Sequence, residues 1–597
     1  MIQEREEHLV CNICGNRRHD GNAPNRHESL RFCESVKAFF KIASSYWKTR
    51  ESIQGWVQFI LILLFTATTV VLSKMFNDWY KEFWDNVQNY NIEGFYKGLY
   101  WFFFLATIHV CNSTYKSYFI SALSMRWRKW LTLQYTTSYL NKNTYYKLQL
   151  TEQETDNPDQ RIAEDLDNFV SLTIVIIVSL LRSIAMIVTF SIILWGLSKR
   201  IDNISFAGYT FSLPDGYLFY LVLIYSVFGT VLTFIIGKPL PLLHFRQQRF
   251  EADYRYALIR LRENSEAIAL YKGEKEEKKR LNEYFSDIVK NYIYIIKRTK
   301  LVDFFTLGYA QLAVIFPILI SAPLYFTKMI TIGSIMQINS AFGQVYDSLS
   351  ILMNLFPRLA TWKSVIDRLA LFEKSINKTL QLPKPDIVYH GEDIKIENLS
   401  ITKPNGTPLI NNLSLFLKPG DRLLIKGVSG IGKSTLLRTI VGIWPYCNGR
   451  IKFPKEKKVM FLSQKPYMPI GTLAQVICYP SSVANDNSSL EKMLERVGLE
   501  YLASNLNIED QWSMILSLGE QQRIALLRVI VNKPDVVFMD EVTSAIDESN
   551  EFYLYEMLKN ELPESIIISI GHRTTLEKQH TKILDFSTDV KEVKTLD

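Results

Sequence analysis

Long apolar runs in the first half of the chain constrain its fold more than any other feature. A helix that crosses a bilayer needs about 20 mostly apolar residues, because roughly 30 Å of hydrocarbon must be crossed at about 1.5 Å per residue. Runs that reach or approach this length cover residues 56–72, a stretch beginning near 96, and residues 172–197, 217–236, 304–326 and 333–356. We therefore predict an α-helical membrane domain with six transmembrane helices.

Several of these runs contain polar and ionisable residues. Arg182 lies in the third run, and His109 and Lys116 lie in or next to the second. The sixth run is the most polar, with Gln337, Asn339, Gln344 and Asp347. Charged groups are costly in hydrocarbon. These polar and ionisable residues therefore either face a water-filled transport path, or are paired within the bundle or solvated where helices project beyond the bilayer.

Basic residues between the runs account for much of the net charge of +8. The loops from Arg126 to Arg161 and from Lys238 to Lys300 are rich in Lys and Arg, whereas the other loops are poor in them. Cytoplasmic loops carry the basic excess of membrane proteins. The pattern predicts a multi-pass protein with both termini in the cytosol, and it explains the charge without a nucleic-acid partner, which we do not expect.

A phosphate-binding motif lies in the second half of the chain. From residue 394 onward, β-rich segments alternate with amphipathic helices, and GVSGIGKST joins an apolar strand-like segment to a helix-like one. In such a P-loop, backbone N–H groups converge on the phosphates, the lysine reaches the β and γ phosphates, and the serine hydroxyl binds magnesium. The predicted ATP contacts are Gly427, Val428, Ser429, Gly430, Ile431, Gly432, Lys433, Ser434 and Thr435. This half predicts an α/β P-loop nucleotide-binding domain.

Two adjacent carboxylates end a later apolar segment, VVFMDE. One carboxylate at the end of a strand beside a P-loop suits the magnesium shell, and a second suits the polarisation of an attacking water. We assign these roles to Asp540 and Glu541, respectively.

These motifs and those around them resemble the ATP-binding cassette family. FLSQ contains Gln464, LSLGEQQR and SAID follow, and ISIGH contains His572. The resemblance implies that Glu541, His572 and Gln464 act in catalysis, and that Ser434, Gln464 and Asp540 hold magnesium, with ATP and Mg²⁺ as cofactors. It further implies a signature segment that acts on the ATP of a partner cassette (Ser517, Leu518, Gly519 and Glu520) and a D-loop (Ser544, Ala545 and Asp547).

The cassette departs from the family pattern in two places. Leu518 replaces a glycine of the signature and Glu520 replaces a glutamine, while Ser517 and Gly519 are kept. We expect hydrolysis to survive these changes. Residues 399–406, LSITKPNG, lack the aromatic that usually stacks on adenine, so how adenine is held stays open.

The membrane half resembles the SbmA/BacA-type membrane domain in NDWYKEFWDNVQ, LSMRWRKWLT and DNPDQRIAEDLDNF. The segment FEADYRYALIRLRENSEAIALYKGE also resembles a loop of peroxisomal and lysosomal fatty-acyl and cobalamin transporters. Together with the cassette motifs, the resemblance runs from about residue 37 to the end. It implies an exporter-like fold in a half-transporter that works as a dimer, with itself or a related chain, and coupling loops at residues 157–167 and 264–274.

The predicted domains are a cytosolic extension (1–36), a membrane domain (37–375) and an ATP-binding domain (385–597). The expected function is ATP-driven transport across a bilayer, with uptake of cobalamin, bleomycin or peptide-like cargo favoured. Fatty-acyl transport of the peroxisomal type, or export, is the alternative, and a membrane-anchored ATPase regulator without translocation is a second. A bacterial plasma membrane is the favoured location, and a eukaryotic organelle membrane is the alternative.

Three cysteines lie near the N-terminus, at Cys11, Cys14 and Cys33. CESVKAFFK resembles the first zinc finger of nuclear receptors, although Val36 stands where a further cysteine is expected. Three thiolates and a histidine would suffice for zinc. The alternative, which we favour, is that FFKIASSYW is the entry to an SbmA-type domain and that the cysteines bind no metal.

Overall fold

The computed structural model describes residues 32–151, 157–198, 201–206, 209–383, 385–482, 487–586 and 593–595. These residues divide into two compact units. The first, the helical unit, comprises residues 32–136 and 157–373. The second, the α/β unit, comprises residues 137–151 and those from 374 onward, so it includes a short segment from the first half of the chain.

The described residues up to position 380 are mainly helical. The helices are α1 (Phe32–Trp47), α2 (Ser52–Gln88), α3 (Ile92–Leu140), α4 (Thr144–Leu150), α5 (Pro158–Leu197), α6 (Tyr217–Gly237), α7 (Leu240–Glu263), α8 (Ser265–Tyr271), α9 (Glu274–Phe326), α10 (Ile332–Leu349) and α11 (Ile351–Leu380). A hairpin of β1 (Ile201–Phe206) and β2 (Tyr209–Leu213) joins α5 to α6.

Among the described residues, four helices are long and apolar enough to cross a membrane. They are α2, α5, the continuous helix Tyr217–Glu263 that joins α6 and α7, and α9. Between 17% and 33% of the most apolar stretch of each is buried within this chain, so most of that surface is left for lipid or a partner. The second predicted run lies in α3, and the sixth is divided between α10 and α11 at Ser350. A count of six spans stays a prediction.

Helix α10 packs against α2, α5, α6 and α9. Polar contacts fix it to α2: Gln337 Nε2 donates to Asp78 Oδ1 at 3.1 Å, and Asn77 Nδ2 donates to the Gln337 carbonyl at 2.9 Å. Gln337 is buried, so it serves this helix contact rather than facing a water-filled path. Asp347, near the end of the same helix, is exposed.

A buried ion cluster links the start of α5 to α11. Arg161 Nη1 lies 2.6 Å from Asp165 Oδ2, and Arg368 Nη2 lies 2.6 Å from Asp165 Oδ1. The side chains of Arg161 and Asp165 are 7% and 3% exposed. The first turns of α5 therefore hold a buried charge pair rather than a solvated one.

The α/β unit is built on two main sheets. Its strands are β3 (Asp386–Tyr389), β4 (Ile394–Thr402), β5 (Pro408–Leu417), β6 (Arg422–Lys426), β7 (Cys447–Phe453), β8 (Val459–Leu462), β9 (Gly471–Thr472), β10 (Glu509–Asp510), β11 (Val536–Asp540), β12 (Ile566–Ile570), β13 (Lys582–Asp585) and β14 (Val593–Thr595). Its later helices are α12 (Lys433–Ile440), α13 (Leu473–Cys478), α14 (Asn487–Arg496), α15 (Trp512–Ile515), α16 (Leu518–Asn532) and α17 (Glu548–Glu561).

The larger sheet has the order β14-β13-β6-β12-β11-β8. Its four pairings from β13 to β8 are parallel, and β14 pairs antiparallel with β13 at the edge. Every residue of β11 and β12 is buried. Near-continuous apolar strands of this kind form where helices cover both faces of a parallel sheet. The smaller sheet has the order β3-β7-β4-β5. A helical membrane-type domain followed by an α/β nucleotide-binding domain is thus confirmed.

Helix α4 belongs to the α/β unit although it lies between α3 and α5 in the chain. Leu148 is buried, and Leu150 packs against the hydrophobic core formed around β4, β5 and β6. The hydroxyl of Tyr146 is buried beside Arg438 of α12. Residues 157–167, the predicted coupling loop, belong instead to the helical unit.

Candidate nucleotide-binding and hydrolysis site

The P-loop connects the end of β6 to the start of α12. Gly427, Gly430 and Gly432 have φ values of 141°, 84° and 108°, which side-chain-bearing residues rarely adopt. A Cβ at Gly427 would also lie 2.7 Å from the Cβ of Phe586. Because parallel strand β6 leads directly into the N-terminus of α12, the N–H groups of the loop converge where phosphate binds in such motifs.

Lys433 is the first residue of α12 and its side chain folds back over the loop. Its Nζ donates to the Gly427 carbonyl at 2.6 Å and to the Val428 carbonyl at 3.3 Å. Burial lowers the pKa of Lys433, while the charges of Glu541 and Asp540 oppose that change. The ammonium group is thus held over the cradle in which phosphate would lie.

Ser434 and Asp540 supply oxygen atoms beside the P-loop. Ser434 Oγ donates to Asp540 Oδ1 at 2.9 Å, and Asp540 ends the buried strand β11. Burial raises the pKa of Asp540, and the hydrogen bond from Ser434 opposes this rise. Magnesium prefers hard oxygen ligands, usually one or two carboxylates together with substrate phosphates. A hydroxyl and a carboxylate at this spacing fit that ion.

Glu541 follows Asp540 with a φ of 50°, which turns its side chain away from the strand. One carboxylate oxygen accepts from Gln464 Nε2 at 3.1 Å, and the other lies 3.3 Å from His572 Nε2. That same His572 atom lies 3.3 Å from Lys433 Nζ. The structure therefore brings the three residues predicted for catalysis into one connected group beside the P-loop lysine.

The signature segment forms the N-terminus of α16. Ser517 caps the helix: its N–H and Oγ donate to Glu520 Oε2 at 2.8 Å and 2.7 Å, and its Oγ accepts from the Glu520 N–H. The Tyr501 hydroxyl also donates to Glu520. The glutamate that departs from the family pattern is thus a helix-capping residue. Leu518, the other departure, is partly exposed in the first turn.

The hydrogen bonds of Glu520 keep it charged. Burial acts to raise the pKa of its carboxyl, but the bonds from Tyr501 and Ser517 outweigh this effect and leave that pKa below its usual value. Burial and the contact with Glu520 raise the pKa of Tyr501 to about 12. A negative charge therefore lies at the helix end where the family resemblance places the γ-phosphate of a partner cassette.

Gln522 joins the signature helix to the Gln464 segment and to the D-loop by hydrogen bonds. This residue was not predicted from the sequence. The residue is fully buried, and its Nε2 donates to the Gln464 carbonyl at 2.9 Å and to Ser544 Oγ at 3.1 Å. Its Oε1 accepts from the Ala545 N–H at 3.0 Å. The only available signal was its place four residues after Leu518 in LGEQQR.

The D-loop approaches the signature helix closely. A Cβ at Gly519 would lie 2.9 Å from the Ala545 carbonyl oxygen, so this position suits glycine. Asp547 ends the D-loop by capping α17 through the Asn550 N–H at 3.1 Å. Its pKa is lowered to about 2 by hydrogen bonds from Ser549 and Asn550. The close approach of the D-loop thus explains the glycine at position 519, and the helix cap explains the aspartate at position 547.

The predicted zinc ligands Cys11 and Cys14 lie outside the described residues. Cys33 is an exposed free thiol in α1. Within the described part of the chain, no three His, Cys, Asp or Glu side chains are grouped to hold a metal ion. The zinc hypothesis therefore stays a prediction.

Comparison with known proteins matches both halves of the chain. The family model described as "ABC transporter transmembrane region 2" matches residues 43–326, and the one described as "ABC transporter" matches residues 410–544. An uncharacterized ABC transporter ATP-binding protein of Haemophilus influenzae is 37% identical over 93% of each chain.

Two further relatives come from different kinds of organism. ABC transporter D family member 2, chloroplastic, of Arabidopsis thaliana is 33% identical over 92% of this chain and 86% of its own length. The inner membrane ABC transporter ATP-binding protein YddA of Escherichia coli is 31% identical over 92% of this chain and 98% of its own length. The similarity therefore extends across both units and covers nearly the whole of each relative.

Proposed function

The chain belongs to the ABC transporter family and couples ATP hydrolysis to transport through the membrane; from this premise we propose that it is a half-transporter that works as a dimer. One chain carries a membrane unit and an α/β unit with P-loop, paired carboxylates, glutamine and histidine. The observation that carries the proposal is the connected group Lys433–His572–Glu541–Gln464 beside the Ser434–Asp540 pair. A signature segment in the same chain supplies the part that a partner cassette needs.

In this proposal the P-loop N–H groups and Lys433 bind the β and γ phosphates of ATP. Ser434 and Asp540 hold Mg²⁺, which when bound neutralises phosphate charge. Their mutual hydrogen bond keeps both oxygens in place before the ion arrives. Leu409, half-buried within 3.4 Å of the Cβ position of Gly432, is the apolar side chain that we assign to contact the nucleoside.

Glu541 is the residue that we propose as general base. Its carboxylate is 30% exposed, so water reaches it, and Gln464 and His572 fix its two oxygens. We assign His572 to orient the attacking water. Because it also lies beside Lys433, we expect it to contact the γ-phosphate as well. Gln464 joins this group to Gln522 and, through it, to the D-loop.

The proposed cargo is an acyl compound, as in the fatty-acyl transporters that the membrane domain resembles. A relative named as a D family member supports this choice over most of the chain. Uptake of cobalamin, bleomycin or peptide-like cargo is the second candidate, and the SbmA/BacA-type resemblance of the segments in α2, α3 and α5 favours it. We place both termini in the cytosol, in a bacterial plasma membrane or an organelle membrane.

The test compares the parent with Glu541→Gln after reconstitution into liposomes. ATP hydrolysis and ATP-dependent movement of labelled oleate, oleoyl-CoA, cobalamin and bleomycin are measured in parallel. Loss of the general base should lower hydrolysis by about 10²- to 10⁴-fold and abolish movement of the true cargo. The control is Glu556→Gln, an exposed glutamate on α17, which should match the parent.

Each arm has a distinct meaning. Movement of oleate or its CoA ester that depends on Glu541 supports acyl transport, and movement of cobalamin or bleomycin alone supports the second candidate. Hydrolysis that is unchanged in Glu541→Gln would remove this residue as the base. Hydrolysis by the parent without movement of any compound would favour the regulator hypothesis.

A further inference from the structure

A cluster of ionisable side chains lies within the helical unit, away from the nucleotide site. It comprises Lys116 of α3, Arg182 of α5 and Asp347 of α10. The charge of Arg182 acts on both Lys116 and Asp347, so the three groups lie within electrostatic range of one another. Because α3, α5 and α10 are separate helices, the fold brings together charges that are far apart in sequence.

Hydrogen bonds between α2 and α3 fix one side of this cluster. Asn112 Nδ2 donates to Thr69 Oγ1 at 2.9 Å and to the Phe65 carbonyl at 3.0 Å, and both Asn112 and Thr69 are buried. Lys116 lies one turn beyond Asn112 and its Nζ reaches Thr69 Oγ1 at 3.4 Å. The lysine is therefore held at the helix pair rather than extending freely.

The neighbouring core shows that the three charges share one level of the bundle. Val70, Met186 and Val345 belong to a single buried cluster contributed by α2, α5 and α10. Thr69 is adjacent to Val70, Arg182 lies one turn before Met186, and Asp347 lies two residues after Val345. The charges thus surround the edge of this apolar core.

Within the described part of the chain none of the three forms an ion pair, and Arg182 and Asp347 are exposed. A charge on a membrane-spanning helix is costly against lipid and normally faces a water-filled cavity. Two cations and one carboxylate leave one net positive charge. An anion is therefore the complementary ligand.

Aromatic rings lie on the Lys116 side of the cluster. Phe65 stacks on Phe119 and Tyr115 with centroid separations of 5.8 Å and 6.5 Å. Tyr115 is adjacent to Lys116 and Phe119 lies less than one turn further along α3. A ligand whose anionic group meets the cations would have these rings available for an apolar part.

We propose that Lys116 and Arg182 bind the anionic group of an amphipathic cargo, and that Asp347 competes with this group for Arg182. The inference rests on the proposed transport function and specifies the chemistry of its cargo. When no cargo is bound, the charge of Arg182 interacts with the carboxylate of Asp347. When the anion binds, Arg182 turns to it, and the carboxylate of Asp347 opposes retention and favours release. A carboxylate and a phosphate share this chemistry.

The competing assignment is a structural ion pair between Arg182 and Asp347. The two assignments predict opposite behaviour for the two single variants. If the two residues form only a structural ion pair, neutralising either one removes the same interaction, so both variants should change the affinity for the anion in the same direction. A competition site loses affinity for the anion when Arg182 is neutralised and gains affinity when Asp347 is neutralised.

The experiment measures stimulation of ATP hydrolysis in liposomes by oleate, by oleoyl-CoA and by neutral oleyl alcohol. Arg182→Gln and Lys116→Gln should raise the half-stimulating concentration of the anion about tenfold, whereas Asp347→Asn should lower it several-fold. Lys97→Gln is the matched control, because Lys97 lies on the same helix as Lys116 in an exposed pair with Glu93. Oleyl alcohol should stimulate none of the proteins.

The two anions distinguish the source of the charge. Preference for oleate identifies a free carboxylate, and preference for oleoyl-CoA identifies phosphate. A gain in Asp347→Asn cannot arise from misfolding, which keeps the inference testable if Arg182→Gln folds poorly. Equal shifts in the same direction for Arg182→Gln and Asp347→Asn, or stimulation by oleyl alcohol, would overturn it. Absence of stimulation by both anions would overturn it as well, while uptake of another cargo that requires Glu541 would still support the proposed transport function.

Discussion

The two units of the chain reach a stable, working arrangement by different means. In the α/β unit, fully buried strands such as β11 and β12 form the core, and Glu541, His572 and Lys433 are joined near their ends by contacts of 3.3 Å. In the helical unit, the four most apolar helices are at most 33% buried over their most apolar stretch. The α/β unit buries its core among its own side chains, whereas most of the apolar helix surface of the helical unit is left for lipid or a partner.

This difference changes what exposure means. An exposed apolar side chain in the helical unit is the ordinary lipid-facing case, and the informative residues are the charged ones at its surface or interior. In the α/β unit the informative residues are buried polar groups such as Gln522. Variants that change a single side chain in one unit or the other test this comparison.

Asp165→Asn should have the largest effect on stability. The change removes the buried carboxylate that Arg161 and Arg368 both contact, and breaking a buried ion pair costs about 3–5 kcal/mol. The unfolding midpoint of the full chain in detergent should fall by several degrees. Asp167→Asn is the control, because its pair with Arg128 is partly solvent-exposed and surface pairs contribute about 1 kcal/mol or less. Equal shifts for both variants would show that the buried cluster is dispensable.

His580 should make the α/β unit sensitive to acid. Its Nδ1 lies 2.7 Å from the Leu576 carbonyl and its Nε2 lies 2.9 Å from Ser569 Oγ, an arrangement that suits neutral imidazole. Burial lowers its pKa to about 4. Since the unfolded chain binds the proton first, stability should decline as pH falls from about 6.5 to 4, by about 3 kcal/mol at most.

The measurement is the unfolding midpoint of the full chain as a function of pH. In His580→Gln the decline between pH 6.5 and 4 should become shallower, because the titrating group is gone. His390→Gln, in which an exposed histidine is replaced, should keep the parental slope. A parental slope in His580→Gln would assign the acid sensitivity to other groups.

Leu150→Ala tests whether α4 stabilises the α/β unit. The side chain is half-buried against that core, so its truncation should cost on the order of 1–2 kcal/mol. Limited proteolysis should then cleave the α/β unit faster, with little change in the helical unit. Gln149→Ala, at an exposed neighbouring position, should leave the cleavage rate unchanged. Faster cleavage confined to the helical unit would contradict this prediction, because it would mean that α4 stabilises the helical unit instead.

Glu520→Gln should give the smallest effect. Glutamine can still cap α16, so stability should change by less than about 1 kcal/mol. In the proposed dimer, in which the signature faces the γ-phosphate of a partner, loss of this negative charge should lower the KM for ATP by about two- to fivefold. Glu500→Gln, an exposed change in the preceding segment, should leave KM unaltered. A raised KM would mean that Glu520 assists rather than opposes nucleotide binding.

The sequence predicted the parts of the site whose chemistry lies in consecutive residues. The P-loop, the Asp540–Glu541 pair and the positions of Gln464 and His572 follow from local motifs, and the structure brings them together. Gln522, by contrast, acts through contacts with Ser544 and the Gln464 backbone, which are distant in sequence. Motif spacing carries no information about such contacts.

The same limit applied to the helical unit. Hydropathy located the helices, but not the pairing of Asp165 with Arg368, which joins residues about 200 positions apart. It also left a path-facing position open for Gln337, whose burial against Asn77 and Asp78 depends on how α10 packs. A residue on a polar helix face can meet water or another helix, and only the packing decides between them.

Helix α4 has a consequence for the order in which the protein is made. Residues 137–151 leave the ribosome long before the strands against which Leu150 packs. The contact of this segment with its core can therefore form only after those strands have been synthesised. A fragment that begins at residue 385 would therefore fold with an apolar patch uncovered, and its solubility and ATPase rate would differ from those of the same unit in the intact chain.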